Sequence, residues 1–154
     1  MAFQVKDTQL NATETQRNSS DIYLDDAVEI YIDTKDAKDA TMQPYDYQFL
    51  VNILNTKGSL RGTGSGKNFF NASWKSAFVL QGTVNNNNNV DTGYTAEIAI
   101  PWAQMGVTPK SGMLVAMDLT NDDRDASTFD YFDWAGIAPN SYAQPKLWKV
   151  VQLQ

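Results

Sequence analysis

The sequence predicts an all-β fold, a β-sandwich or jelly roll of antiparallel strands. Segments in which apolar and polar residues alternate recur along the chain, and turn-forming residues separate them. Hydrophobic residues make up 42% and charged residues 19% of the 154 residues, which is a globular composition. Because each sheet must bury one apolar face, we expect two packed sheets in a single domain over residues 1–154.

The alternation predicts about eight strands and almost no helix. The strands fall at residues 3–7, 25–33, 45–55, 74–81, 94–100, 113–120, 131–134 and 147–153, with one further short strand inside a Gly-, Ser- and Asn-rich loop at residues 58–71. Five asparagines at 85–89 form the tip of a hairpin. Pro101 begins one helical turn, because proline suits the first position of a helix but cannot continue a central strand.

The strand at residues 25–33 organises the predicted fold. Its apolar residues fall on one face and its polar or aromatic residues on the other, Val28, Ile30 and Ile32 against Glu29, Tyr31 and Asp33. A carboxylate and an aromatic ring are thereby held on a rigid element, so the second face can bind a ligand.

The composition excludes several classes of function. A net charge of -6, a pI near 4.4 and the lack of a Lys/Arg cluster argue against a nucleic-acid partner. The chain has no Cys and no His, which excludes thiol chemistry and the commonest transition-metal ligand. No apolar run approaches the roughly 18 residues of a membrane helix. The first residues lack a secretory signal, so the chain is either cytoplasmic or a module of a longer exported protein.

Aromatic residues divide into predicted core and predicted surface. We expect Trp74, Trp102 and Trp134 in the core. Tyr23 and Tyr142 instead lie in polar loops, where a large ring has no obvious core to join. Sugars bind to aromatic ring faces through their C–H faces, while polar side chains read their hydroxyls. These two tyrosines are therefore candidate ligand-binding rings.

Acidic residues concentrate in two predicted loops, at residues 33–39 and 121–125. Oxygen ligands of this kind suit calcium, and the candidate ligands are Asp33, Asp36 and Asp122. A solvated acidic loop is the alternative, because the spacing does not match an EF-hand. No spacing singles out one acid and one base, so we do not expect an enzyme that hydrolyses glycosides.

Five stretches together resemble carbohydrate-binding module family 9 and its wider sugar-binding superfamily. They are residues 26–33 (DAVEIYID), 47–52 (YQFLVN), 93–102 (GYTAEIAIPW), 121–123 (NDD) and 140–145 (NSYAQP). Their order and spacing match the family from about Phe3 to Leu153. The resemblance implies a non-catalytic β-sandwich, attached to a secreted bacterial enzyme that degrades polysaccharides, a glycoside hydrolase.

The resemblance also implies a binding mode. Members hold glucose, xylose or chain ends between two aromatic rings and often carry calcium. Matching the motifs residue by residue places the rings at Tyr23 and Tyr142 and the polar contacts at Glu29 and Asn52, with Asn140 and Gln144 near the second ring. The implied partner is a mono- or oligosaccharide, or the end of a glucan or xylan chain.

This chain departs from the family at three points. Both rings are Tyr where Trp is usual, and Leu50 stands where the best-known members place a sugar-binding Arg. The strands that usually precede the Phe3 strand are absent, so we expect a trimmed module or an edge covered by another segment. A structural or interaction domain that has lost the sugar site is the alternative. The haem-binding relatives fit poorly because the chain has no His.

Overall fold

The computed structural model describes residues 1–125, 128–137 and 142–154. Within these ranges the chain forms ten β-strands and three short 3₁₀ turns. The strands are β1 (Ala2–Val5), β2 (Ala27–Asp33), β3 (Asp46–Asn52), β4 (Lys57–Gly62), β5 (Lys67–Phe69), β6 (Lys75–Gln81), β7 (Gly93–Ala99), β8 (Leu114–Arg124), β9 (Phe129–Asp133) and β10 (Lys149–Gln152). The 3₁₀ turns span Ile22–Leu24, Trp102–Met105 and Pro145–Leu147.

The strands form two antiparallel sheets. The small sheet has the order β1-β7-β6, and the large sheet has the order β10-β8-β2-β3-β4-β5. Strand β9 also pairs with β8, beside residues Thr120–Arg124, so β9 and β10 share one edge of β8 end to end. The predicted antiparallel β-sandwich is therefore confirmed. No helix in the described ranges is long and apolar enough to cross a membrane.

The core lies between the two sheets. Val28, Ile30 and Phe49 of the large sheet are fully buried and belong to one cluster with Tyr94 and Ile98 of the small sheet. Parity along β2 then places Glu29, Tyr31 and Asp33 on the opposite, outer face of the large sheet.

The tryptophans follow the prediction with one exception. Trp74 is buried, and Trp102 is partly buried and packs against the core between the sheets. The core assignment of Trp134 is wrong, because its side chain is 46% exposed. This residue follows β9 at the edge of the large sheet, where its ring instead lies 4.8 Å from the ammonium nitrogen of Lys149.

Two segments predicted mainly as loops form strands. The glycine-rich stretch, predicted to hold one short strand, forms the two strands of the β4–β5 hairpin. Glycine is needed here for close backbone approach as well as for turns, because a Cβ on Gly62 would collide with the backbone carbonyls of Met42 and Gln43. The acidic segment 121–124 continues β8. All four residues pair with β9, and Asn121 and Asp122 also pair with β2 on the other side. This hydrogen bonding outweighs the low strand propensity of Asp and Asn.

Strand β2 is buried on both faces and not half-buried as its alternation predicts. On the outer face, Tyr31 is fully buried in a second apolar cluster with Met42, Ala116, Ile137 and Trp148. The loops that carry Ile137 and Trp148 thus cover one end of the outer face. The uncovered remainder of that face holds the cavity described next.

Candidate functional site

A cavity of about 720 Å³ opens on the outer face of the large sheet. This volume falls within the range typical of small-molecule sites. Strands β2, β3, β4, β5, β8 and β9 contribute to its lining, together with the segments around Tyr23 and Tyr142. The cavity therefore gathers side chains that are as much as 123 residues apart in the sequence, from Ser19 to Tyr142.

The register of the large sheet aligns residues in two outward-facing rows. One row runs Thr120, Glu29, Leu50, Gly58 and the next runs Asp118, Tyr31, Gln48, Leu60, Phe69. Residues directly opposite one another share a face of the sheet, so both rows project outward. The members of these rows that line the cavity floor are Glu29, Leu50, Tyr31, Gln48, Leu60 and Phe69. The floor is thus fixed by the strand ladder and not by flexible loops.

Glu29 is the centre of the polar part of the floor. Its side chain is 3% exposed and accepts a hydrogen bond from the hydroxyl of Tyr31 and one from Gln48 Nε2 at 2.7 Å. Gln48 Nε2 also donates to the Tyr31 hydroxyl at 3.0 Å. These bonds hold the carboxylate in one orientation at the base of the cavity.

Asp122 lies beside Glu29 and is almost fully buried. Burial, reinforced by the adjacent Glu29 carboxylate, raises the pKa of Asp122 well above its usual range. Neither oxygen of Asp122 accepts a hydrogen bond from an N–H or O–H donor of the described residues. With no such donor in the described ranges, the carboxyl of Asp122 is available to a ligand hydroxyl.

Lys67 brings a cation to the cavity from β5. Its ammonium nitrogen donates to Gln48 Oε1 at 2.5 Å and lies 5.9 Å from the ring centre of Tyr31 and 6.0 Å from that of Tyr142. Burial lowers the pKa of Lys67, while the charge of Glu29 opposes that shift. In the described part of the chain Lys67 makes no ion pair, so its ammonium retains hydrogen-bonding capacity toward a ligand.

Aromatic rings surround this polar floor. Tyr23 stands on the open rim, 42% exposed, with its ring edge-to-face with Phe129 at 6.3 Å. Tyr142 forms part of the wall, with its ring 6.0 Å from that of Tyr31 and 5.2 Å from that of Tyr131. The cavity thus combines aromatic surfaces with a carboxylate, an amide and an ammonium group.

The structure brings together three of the sequence-predicted ligand residues, since Tyr23, Glu29 and Tyr142 all line the cavity. Gln144 does not line it and instead precedes the 3₁₀ turn Pro145–Leu147. Asn140 lies outside the described residues. Asp122 lines this cavity, although the sequence indicates it as a calcium ligand.

Asn52 has a structural role and not the predicted ligand contact. It is fully buried, and its amide nitrogen donates to Asp25 Oδ2 at 2.7 Å and to the Glu14 carbonyl at 2.8 Å. Its carbonyl oxygen accepts a hydrogen bond from the Thr56 backbone N–H at 2.8 Å. Because these bonds tie Asn52 to three chain segments away from the cavity, we do not include it among the ligand residues.

Sequence reasoning missed Gln48, Lys67 and Tyr131. The sequence did contain a signal for Gln48. It lies two residues from Leu50 in the 47–52 motif, so both side chains point to the same face of the strand. Lys67 lies in a glycine-rich segment without regular alternation, so no pattern indicated its direction. Tyr131 reaches the cavity because β9 pairs with β8, which places it opposite Asp122.

The three predicted calcium ligands do not form one site. Asp33 pairs with Ala116 and Asp122 pairs with Ala27, so these carboxylates lie at opposite ends of β2, about 20 Å apart at strand spacing. Asp36 forms an ion pair with Lys38 at 2.7 Å. These three residues therefore cannot bind one common ion, and their assignment as calcium ligands stays a prediction.

A different acidic set brings together three carboxylates that could hold a metal ion. Asp7, Asp26 and Asp123 each offer a carboxylate oxygen within 4.8 Å of the others. Burial is the main cause that raises the pKa of Asp26 to about 8 and that of Asp123 to about 6, and neighbouring carboxylates add to it. Buried, mutually repelling oxygen ligands suit a hard divalent cation.

An antiparallel β-sandwich that carries an aromatic-rimmed, polar-floored cavity on one sheet has the architecture of a carbohydrate-binding domain. The family model described as "Carbohydrate family 9 binding domain-like" matches residues 1–154, and the chain belongs to this family. The family resemblance of the sequence motifs is thereby confirmed.

The sequence relatives include two xylanases. The chain is 29% identical over 136 residues to endo-1,4-beta-xylanase A of Thermoanaerobacterium saccharolyticum, a match that covers 86% of this chain and 10% of the relative. It is 27% identical over 141 residues to endo-1,4-beta-xylanase A of Thermotoga maritima, a match that covers 92% of this chain and 11% of that relative. The chain thus spans about a tenth of the length of these relatives.

Solved structures share the fold. A family 9 carbohydrate-binding module of Caldicellulosiruptor kristjanssonii, in complex with cellotriose, aligns with a TM-score of 0.68 at 19% identity, covering 97% of this chain and 65% of that one. A putative carbohydrate-binding protein of Bacteroides uniformis aligns with a TM-score of 0.67 at 13% identity, and the alignment covers 98% of this chain and 69% of that one.

Proposed function

We propose that this chain is a non-catalytic module that binds a sugar or the end of a glucan or xylan chain in the cavity of the large sheet. The observation that carries the proposal is the convergence of two loop tyrosines, Tyr23 and Tyr142, on one cavity whose floor presents Glu29. Stacking surfaces and oriented polar groups are the two elements that sugar recognition requires.

Each group has a specific part in the proposed binding. The tyrosine rings offer apolar faces to the C–H faces of a pyranose. Glu29 accepts hydrogen bonds from sugar hydroxyls, and Lys67 donates to sugar oxygens. Charge-assisted bonds of this kind are each worth about 1.5–3 kcal/mol, whereas neutral ones are worth about half of that. Glu29 and Lys67 are thus expected to contribute most of the polar binding energy.

The proposed biological role is to target an attached enzyme to its polysaccharide. Two relatives are named as xylanases, and the similar segment makes up about a tenth of their length. We therefore propose that the chain works within a secreted bacterial protein that contains a glycoside hydrolase.

We also propose that the module carries structural calcium. Asp7, Asp26 and Asp123 would hold the ion, which would neutralise their charges where the start of the chain meets β2 and β8. Neutralisation of a buried acidic cluster stabilises the folded state, because the ion binds that state and not the unfolded chain.

Calorimetric titration tests the sugar proposal. We expect measurable heat with at least one of glucose, xylose, cellobiose and xylo-oligosaccharides, with a stoichiometry of about one ligand per chain. Tyr142→Ala should weaken binding relative to Tyr142→Phe, which retains the ring. Absence of heat with every one of these sugars would contradict the proposal.

A further inference from the structure

The floor of the cavity divides into a polar half and an apolar half. The polar half lies on β8 and β2, where Glu29 and Asp122 line the cavity. The apolar half lies on β4, β5 and the adjoining end of β3, and Leu50, Leu60 and Phe69 form it. Gln48 of β3 and Lys67 of β5 add to the polar half, where their side chains hydrogen-bond to each other. Because strand residues form both halves, the halves stay in fixed positions relative to each other.

The apolar half is closed from beneath. Leu50 leans over Gly58, and a Cβ at that glycine would lie 2.5 Å from Leu50 Cδ2. Leu50 and Leu60 are buried together with Ile22 in a cluster of their own. A ligand group that reaches Leu50 or Leu60 therefore meets the hydrocarbon of these three side chains from below.

The polar groups nearest to the apolar half either point away from it or are already engaged. The ammonium of Lys67 points toward the polar half, where it donates to Gln48 and lies near the rings of Tyr31 and Tyr142. On the rim, the Ser19 hydroxyl donates to Glu14 at 2.6 Å and the Ser20 hydroxyl donates to Asp21 at 3.0 Å. A sugar hydroxyl directed at Leu50 would therefore give up water without gaining a protein partner.

From this division we infer that the cavity selects a sugar that carries a methyl-bearing substituent, either an O-acetyl ester or the methyl group of a 6-deoxy sugar, on the side facing Leu50, Leu60 and Phe69. This inference rests on the proposed function and narrows its ligand. The polar half reads the hydroxyls on one side of the ring, and the apolar half buries the methyl group on the other. Burial of a methyl group there is favourable, whereas burial of a hydroxyl is costly.

Calorimetry with matched pairs of sugars tests the inference. One pair is acetylated xylo-oligosaccharide and the same sample after alkaline deacetylation, and the other is 6-deoxyglucose and glucose. We expect the methyl-bearing member of at least one pair to bind about three- to tenfold more tightly. An advantage confined to the first pair assigns the ester, and one confined to the second pair assigns the deoxy sugar.

A variant on an exposed edge keeps the test independent of folding. Phe69 is 41% exposed on β5, so Phe69→Ser changes the apolar half without opening the buried Leu50 cluster. The ratio of the two affinities within a pair should fall toward one in this variant. Val79→Ser, at a 62% exposed position of the small sheet, should retain the wild-type ratio.

The outcomes separate the two proposals. Equal affinities within both pairs, or tighter binding of the unsubstituted sugars, would overturn the inference while the proposed function stands. A ratio that persists in Phe69→Ser would also overturn it. Absence of binding by every sugar, substituted or not, would overturn the proposed function itself.

Discussion

Glu29 shows how a single residue connects the strand ladder to the cavity. Two neighbours orient its carboxylate, the Tyr31 hydroxyl on the same strand and the Gln48 amide on the adjacent strand. Burial excludes competing water from the carboxylate, which strengthens any hydrogen bond to a ligand. A residue held in this way loses little conformational freedom when it binds a sugar.

Replacement of Glu29 by Gln should weaken sugar binding about 10- to 100-fold. The change keeps the size of the side chain but removes its charge and one acceptor, which corresponds to about 1.5–3 kcal/mol. Titration calorimetry of Glu29→Gln measures the loss. Glu97→Gln is the matched control, because Glu97 is exposed on β7 of the small sheet. Equal affinities of wild type and Glu29→Gln would remove Glu29 from the proposed site.

Replacement of Tyr23 by Ala should weaken binding about 3- to 10-fold without lowering the melting temperature. The ring is 42% exposed on the rim, so its removal deletes stacking surface but little core. Phe132→Ala is a suitable control, since this ring is 57% exposed and lies outside the cavity lining. The same loss of affinity in both variants would show that Tyr23 has no specific role.

At the scale of secondary structure elements, β8 and β2 hold carboxylates at both ends of their shared ladder. At one end, Asp26 accepts backbone hydrogen bonds from Asn11 and Arg124, both at 2.6 Å, and so joins the start of the chain to the end of β8. Asp7 and Asp123 lie against it. This junction is where charge repulsion should limit the stability of the fold.

Without calcium, stability should fall as pH rises from about 5 to about 8. Burial raises the pKa of Asp26 to about 8, so the folded state keeps a proton that the unfolded chain releases near pH 4. The contribution of that proton to folding stability is complete below about pH 4 and is lost as the pH rises through about 8. Asp46, with its pKa raised to about 7 by burial, acts in the same direction. Thermal melts in a chelating buffer measure the trend, and a melting temperature that rises with pH would contradict it.

Calcium should reverse most of that loss at about pH 8. At about 100 times its Kd the ion adds about 2.7 kcal/mol, which raises the melting temperature by about 5–10 °C for a domain of this size. Asp123→Asn should abolish the increase. Asp36→Asn should retain it, because Asp36 pairs with Lys38 elsewhere in the molecule. No increase in the wild type would withdraw the calcium proposal.

The sequence predicted the elements whose alternation is regular. Strands β2, β3, β6 and β7 and the turn after Pro101 lie where the pattern indicates. Of the β4–β5 hairpin, the sequence indicated only one short strand. The backbone at Gly62 lies too close to that of Met42 and Gln43 for any side chain, and only the fold reveals this requirement. The motif resemblance indicated Glu29 and both tyrosines, whereas Lys67 depends on a strand pairing without a sequence signal.

At the scale of the whole molecule, the two sheets have different roles. The small sheet covers the core, and the large sheet supports the core on its inner face and the cavity on its outer face. Strands at the centre of the large sheet are therefore buried on both sides, as β2 shows. Binding at the outer face should leave the small sheet unperturbed, because no cavity residue belongs to it.

The most direct test of the sugar site is the pattern of backbone amide shifts in nuclear magnetic resonance spectra on addition of cellotriose or xylotriose. The largest shifts should occur at Tyr23, Glu29, Lys67 and Tyr142 and their strand neighbours, with the amides of β1 and β6 unchanged. Shifts confined to the small sheet, or no shifts with either sugar at high concentration, would contradict a sugar site on the large sheet.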